Sequence, residues 1–566
     1  METIDEGQVA QWRHEKTAAR GRQGMVAARH PLSAAAGRDI LARGGNAVDA
    51  AVAASLAGSV VQPMANTIGG GGLMVIVHPT RGKTALNYLY EAPAGARPDM
   101  FPLNEDAAPG LFGWSGIKDQ LNEIGGLAVG IPGSIAGLHT AQSEFGQIGW
   151  NQVVEPAIRL ARDGFPMDWY GTLMLAVHAD QMQDFPLTAA QFLRHGAYAY
   201  RPEVIGKADL HRQPRLAETL EAIAMGGPGA FYRGTNAASI ATAAAGAKGV
   251  LTADDLAGYR VRRYTPAGLR YRTHHLDHVP YGAPTLALFL NILARFDLAA
   301  FAPDSVQRFH LVAEALKRAF AYRDRFNGDS DVMTAPWSGL ADPDFAAAVA
   351  GTIDLGRATP ATTAIDPEPF CRSQAGTPGR HEGTVHISAA DQTGCFVALT
   401  ETVVGNFGSL VTSDSGVLLN NGMIGFSPIP GQLNSVAPGK RPATNMSPVI
   451  VSDALGRPVA TLGASGGRKI IPAVVQILNL FIDHGLDLQA ATSHPRLDLE
   501  GGRIIADSRI ANSTLDALRR TGHEIEVRTE GLSTFEFGNP CGIQLSDDGY
   551  LQSGVNPFQA TTAYGL

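Results

Sequence analysis

Across residues 38–57 apolar and small side chains recur at helical spacing, interrupted by Gly44-Gly45-Asn46, and predict an alanine-rich amphipathic helical stretch. Four glycines at 69–72 then lead into Leu73-Met74-Val75-Ile76-Val77, a continuous apolar run of buried-strand length. Helical periodicity returns over 151–163, 215–225, 305–325 and 470–481, while the tyrosines and arginines of 256–272 predict a strand. No internal repeat interrupts this alternation.

The pattern breaks at 358–383, where four prolines and little periodicity predict an exposed, flexible connection. Strict alternation starts immediately afterwards: Thr384-Val385-His386-Ile387-Ser388, a turn at 391–394, then Phe396-Val397-Ala398-Leu399-Thr400. This is a hairpin. With Gln392-Thr393-Gly394 as a three-residue loop and Gly394 left-handed, Asp391 pairs with Cys395. Counting outward sets Thr384 opposite Thr402. A linker therefore ends at a threonine that opens a strand and faces a second threonine.

Composition narrows the class. The chain has 566 residues, 45% of them hydrophobic, enough for a large core, and its 65 glycines with only 7% aromatics favour turn-rich α/β structure. A net charge of -8 from mixed signs gives no basic block for nucleic acid or anionic membrane. The first 24 residues are polar and lack the apolar core of a secretory signal, and no run is apolar enough to span a membrane. Three cysteines, Cys371, Cys395 and Cys541, without metal-type spacing, fit a reducing compartment. The expected setting is the cytoplasm, with no cofactor and no metal.

The hairpin threonine permits a specific chemistry. Cleavage before Thr384 would place an α-amine on the residue that carries the hydroxyl. Such an amine has a reference pKa of about 7.7–8.0, so part of it is neutral and can accept the hydroxyl proton. Gly383 offers no side chain to obstruct attack on its carbonyl. Thr402 is placed to orient the nucleophile. Gly466 and Gly467, in the glycine turn ahead of the 470–481 helix, are candidates to supply N–H groups to an oxyanion.

Other conspicuous residues read differently. The glycines at 69–72 lack the Lys-Ser/Thr of a phosphate loop and read as close backbone packing. His274, His275, Asp277 and His278 alternate across a strand or loop and do not read as a metal site. His386 shares a face with Thr384 and reads as a hydrogen-bonded core histidine.

Ordered motifs run over nearly the whole chain: GMVAARHPLSAAAGRDILARGGNAVDAAVA, VVQP, IGGGGLM, GLAVGIPGSIAGL, EPAIRLARDGFP, GPGAFYRG, LTADDLAGY and HLVAEALKRAFAYRD, then GTVHISAAD, FGS, GVLLNNGM, GKRPATNMSPVIV and LGASGGRKI. In these motifs and their order the chain resembles the γ-glutamyltranspeptidase family. It implies a four-layer αββα sandwich of the N-terminal-nucleophile hydrolase type. It also implies self-cleavage between Gly383 and Thr384 into a large subunit, 1–383, and a small subunit, 384–566, intertwined in one domain. These would remain a heterodimer, itself open to dimerisation. Thr384 is then the nucleophile, Thr402 its partner, and Gly466-Gly467 the oxyanion segment.

The departures lie in the donor pocket. Leu89 stands where the family's carboxylate-binding arginine is expected, and Val404 where an asparagine follows the second threonine. Gly422 and Gly425 replace a polar residue and an aspartate, and Thr444-Asn445 replaces a serine pair. A charged hydrogen bond contributes roughly 1.5–3 kcal/mol, so losing the carboxylate and ammonium partners costs a γ-glutamyl donor about 100-fold or more.

The expected substrate is a small amide without a glutamate-like end; by analogy, superfamily members hydrolyse oxamate and glutaryl-cephalosporins. Thr444, Asn445 and Arg468 are the candidate ligands for a substrate carboxylate, Arg468 being equally readable as a surface charge. Two alternatives stand beside this reading. One is a γ-glutamyl transferase using Arg97 or Arg441; the other is an uncleaved binding or scaffold relative.

Overall fold

Two seven-stranded antiparallel sheets lie face to face in the computed structural model, which describes residues 14–566 except 105, 107–115, 203–206, 282, 362, 372–383 and 533. The first sheet runs Thr562–Gly565, Gly24–Ala28, Val385–Asp391, Phe396–Thr402, Gly71–His78, Gly82–Tyr88, Arg262–Tyr264. The second runs Arg20–Gly21, Leu551–Val555, Asn539–Leu545, Pro458–Ser465, Val449–Ser452, His274–His278, Ala267–Tyr271.

Strand alternation sorts the side chains into layers. Val385, Ile387 and Ala389 point outward into one apolar cluster with the helices Pro31–Ala42 and Ala47–Val61. His386 and Ser388 point inward: the Ser388 hydroxyl lies 3.3 Å from that of Thr461, and Gly463 leaves room for the His386 ring. Ala460, Leu462 and Ala464 face away, into a second cluster with Val306–Arg325 and Ile470–Ile482. The layers are thus helix, sheet, sheet, helix.

The helix Ala47–Val61 is apolar on all sides because it is covered on all sides; every one of its residues is buried. Its start is fixed by a capping box, in which Asn46 accepts from the N–H groups of Val48 and Asp49 while Asp49 accepts from Asn46.

The structure refines three local expectations. The 38–57 stretch is two helices, Pro31–Ala42 and Ala47–Val61, because Gly44 takes φ +90 and ends the first. The 256–272 segment holds the end of a helix, Ala253–Gly258, and two strands, Arg262–Tyr264 and Ala267–Tyr271. Part of the 358–383 linker is docked: Lys317 donates to the Thr359 carbonyl at 2.6 Å and Tyr322 to that of Ile365 at 2.9 Å. Its segment 372–383, Gly383 included, lies outside the described residues. The other predicted helices stand at Trp150–Asp163, Pro214–Gly226, Val306–Arg325 and Ile470–Ile482, and the apolar strand at Gly71–His78.

Candidate active site

The hairpin fixes the geometry of the site. Asp391 donates to the Cys395 carbonyl at 3.1 Å, Gly394 has φ +86, and Val385 pairs with Glu401. The same register, one step further, sets Thr384 opposite Thr402. Thr384 is fully buried, and among the described residues its hydroxyl has no hydrogen-bond partner. A buried, unsatisfied hydroxyl is costly to maintain and is a frequent mark of a working group.

Thr402 is buried as well, and its hydroxyl accepts from the Val404 N–H at 2.7 Å. The glycines at the start of the adjoining strand permit this closeness: a Cβ at Gly70 would lie 2.4 Å from the Thr402 carbonyl oxygen, and one at Gly72 would lie 2.6 Å from Glu401. Close backbone packing is therefore their role. After Thr402 the chain leaves the sheet with Val404 at φ +85. For a β-branched residue this is strained backbone, which asparagine tolerates better.

One residue at the site carried no signal in the sequence. Arg29, on the link between the strand Gly24–Ala28 and the helix Pro31–Ala42, donates from its guanidinium to the Thr384 carbonyl at 2.8 Å. Its charge is buried against the rings of Phe535 and Tyr170, 4.8 and 5.6 Å away, with Asp168 as the neighbouring carboxylate.

His386 is held between Thr400 and Ser388, at 2.8 and 3.0 Å, and burial pushes its pKa down to about 3. It is neutral at physiological pH and occupied on both nitrogens. Gly466 and Gly467 both take positive φ, +117 and +62, at the turn preceding the helix Ile470–Ile482. Successive N–H groups at such a turn suit an oxyanion.

The altered donor positions gather into apolar surroundings. Leu89 and Val404 are fully buried in the same cluster as Tyr90, Ile424 and Met446. The Tyr90 ring fills the place of a side chain at Gly422, where a Cβ would come within 2.0 Å of it. Gly425 closes the short turn Gly422–Gly425, and its carbonyl accepts from Asn434 at 2.8 Å.

Asn445 is fully buried with both amide atoms unpartnered among the described residues, whereas the Thr444 hydroxyl accepts from the Met446 N–H at 3.1 Å. Arg468 lies over the Phe320 ring at 5.0 Å, and no hydrogen bond among the described residues joins it to Thr384, Thr444 or Asn445.

Neither alternative arginine is free. Arg441 is completely buried, with its N–H groups spent on the Asn87 and Arg260 carbonyls, the Asn87 side chain and Glu91. Arg97 is exposed beside Asp99 at 3.5 Å. In the histidine-rich strand, Asp277 pairs with Lys83 at 2.7 Å and His278 with the Val279 carbonyl at 3.1 Å.

Comparison with known proteins gives this geometry its context. The model of the gamma-glutamyltranspeptidase family matches residues 33–565. The chain belongs to that family. Members of the family are self-processing N-terminal-nucleophile amide hydrolases and transferases. The chain is 34% identical to a glutathione hydrolase proenzyme of Escherichia coli K12, over 95% of this chain and 91% of that one. It is 33% identical to the acylase ACY 1 proenzyme of Pseudomonas sp. V22, over 96% and 93%. Among solved structures, a cephalosporin acylase from Bacillus halodurans shares the fold at a TM-score of 0.85 and 24% identity, covering 100% of this chain and 99% of the other.

Proposed function

We propose that the chain is a self-cleaving threonine amidohydrolase acting on a small amide that lacks a γ-glutamyl group. The observation that carries this reading is the Thr384 hydroxyl: buried, without a partner among the described residues, and in register with Thr402 at the head of an inner strand.

In maturation, Thr384 Oγ attacks the Gly383 carbonyl carbon, the bond to the Thr384 nitrogen breaks, and water hydrolyses the resulting ester. The products are the Gly383 carboxylate and the Thr384 α-amine, on subunits 1–383 and 384–566 that stay together. In turnover the neutral α-amine takes the Thr384 hydroxyl proton as Oγ attacks the substrate carbonyl. The N–H groups of Gly466 and Gly467 stabilise the oxyanion. The substrate amine leaves with the transferred proton. Water then attacks the acyl-threonine, releasing the acid and restoring the hydroxyl.

The substrate class is read from the altered donor positions. Leu89, Val404 and Tyr90 are buried in one apolar cluster, and Arg441 is fully engaged elsewhere. Asn445 has two amide atoms unpartnered among the described residues, suited to one polar group of the acyl portion. The likeness to a glutathione hydrolase proenzyme favours a second reading, γ-glutamyl transfer, which requires a carboxylate ligand that neither Arg97 nor Arg441 is placed to supply.

A screen of small amides, oxamate among them, beside a γ-glutamyl anilide separates the two. Turnover of a non-glutamyl amide that disappears in Thr384→Ala supports the first reading. An ordinary rate on the anilide overturns it.

A further inference from the structure

Arg29 lies 355 residues from Thr384 in sequence yet bonds its carbonyl directly. The pairing of Ile387 with Ala28 brings the two segments together, so the first residue beyond the strand Gly24–Ala28 can reach past His386 to the head of the hairpin. Two aromatic rings, Phe535 and Tyr170, close over the guanidinium and strip it of water. Burying a charge this way is expensive unless the charge is used.

We infer that Arg29 is a positioning residue for the nucleophile: it fixes the Thr384 carbonyl, and its charge keeps the α-amine released at Thr384 in the neutral, proton-accepting form. The inference rests on the reading of Thr384 as the N-terminal residue of the small subunit.

The physical basis is like-charge repulsion. The carbonyl that Arg29 holds and the α-nitrogen belong to one residue, so the ammonium form would stand beside a buried guanidinium. A like charge at such range lowers an amine pKa, by about one unit from a reference of about 7.7–8.0. Among the described residues, the other groups near the amine do not cancel this. His386, on the same strand, is neutral. Thr402, across the hairpin, is a hydroxyl. Glu401 points to the opposite face, where it accepts from Ser55.

Asp168 is the carboxylate that offsets Arg29, and it is shared: it caps the helix Trp169–Gln183 through the Gly171 N–H at 2.6 Å and lies 3.7 Å from His30. That arrangement provides two substitutions of opposite sign. Arg29→Gln removes the positive charge. Asp168→Asn removes its counter-charge while leaving a residue that still caps a helix.

The test measures carbamylation of the Thr384 α-amine by cyanate as a function of pH, read by peptide mass on the matured protein, in parallel with the pH dependence of kcat/KM. Arg29→Gln should raise the amine's midpoint, and the acid limb of kcat/KM, by about one unit. Asp168→Asn should lower both, and Arg29→Lys should leave both near wild type. Should Arg29→Gln fail to fold, the Asp168→Asn and Arg29→Lys curves decide alone. A purely structural role would leave all midpoints in place, and coincident curves overturn the inference. A wild type with no chain beginning at Thr384 defeats the underlying reading instead.

Discussion

The Tyr90 ring occupies the space that a side chain at Gly422 would need, since a Cβ there would stand 2.0 Å from the ring. An aromatic side chain thus fills the space left where Gly422 replaces the family's polar residue. Gly422→Ala should therefore overpack the site and destabilise the protein by about 1–3 kcal/mol. Tyr90→Ala/Gly422→Ala should cost less than the sum of the two single changes. Thermal melting of the four proteins checks this; additive losses would show that ring and glycine do not compete for one space.

Glu401 precedes Thr402 and points outward, accepting from Ser55 and from Asn66 at 3.3 Å, and burial pushes its pKa up to about 7. The folded value exceeds the unfolded one, about 4.3. Its favourable contribution is therefore present below the unfolded pKa and lost as pH rises through about 7. Glu401→Gln should match wild type near pH 5 and be the more stable of the two at pH 8.5. Denaturant titrations at both values measure the difference; a variant weakened equally at both would contradict a neutral Glu401.

His386 has the opposite sign. Its folded pKa is depressed to about 3, so the unfolded chain takes up a proton first, near pH 6.5. Stability from this site is complete above about pH 6.5 and declines as pH falls towards 3, by about 1.4 kcal/mol per unit for one proton. His386→Gln should flatten the slope of stability between pH 6 and 4 by about one proton. Activity above pH 6.5 should show no limb attributable to His386. An unchanged acid slope would contradict this.

The hairpin was legible because turn chemistry is local. A three-residue loop ending in a left-handed glycine dictates the Asp391–Cys395 pair and, by counting, the register of Thr384 and Thr402. Helices such as Trp150–Asp163 and Val306–Arg325 were legible from periodicity, the latter with Ser305 as its cap. The break at Gly44 was visible, but the start at Pro31 was not.

What sequence could not give was contact across the fold. Arg29 reads as any arginine beside a helix start until the sheet brings it to Thr384. Leu89 and Val404 read as substitutions, yet their joint burial with Tyr90 depends on two separated segments meeting. Arg468, a candidate carboxylate ligand by sequence, lies over the Phe320 ring, a contact that the sequence does not show.

The most direct test of the central claim is the N-terminal residue of the chains in purified protein, read by intact mass and terminal sequencing. Wild type should yield two chains, 1–383 and 384–566, the second opening with a free α-amine on Thr384. Thr384→Ala should yield one chain and no amidase activity. An intact Gly383–Thr384 bond in active wild type, or two such chains from Thr384→Ala, would contradict it.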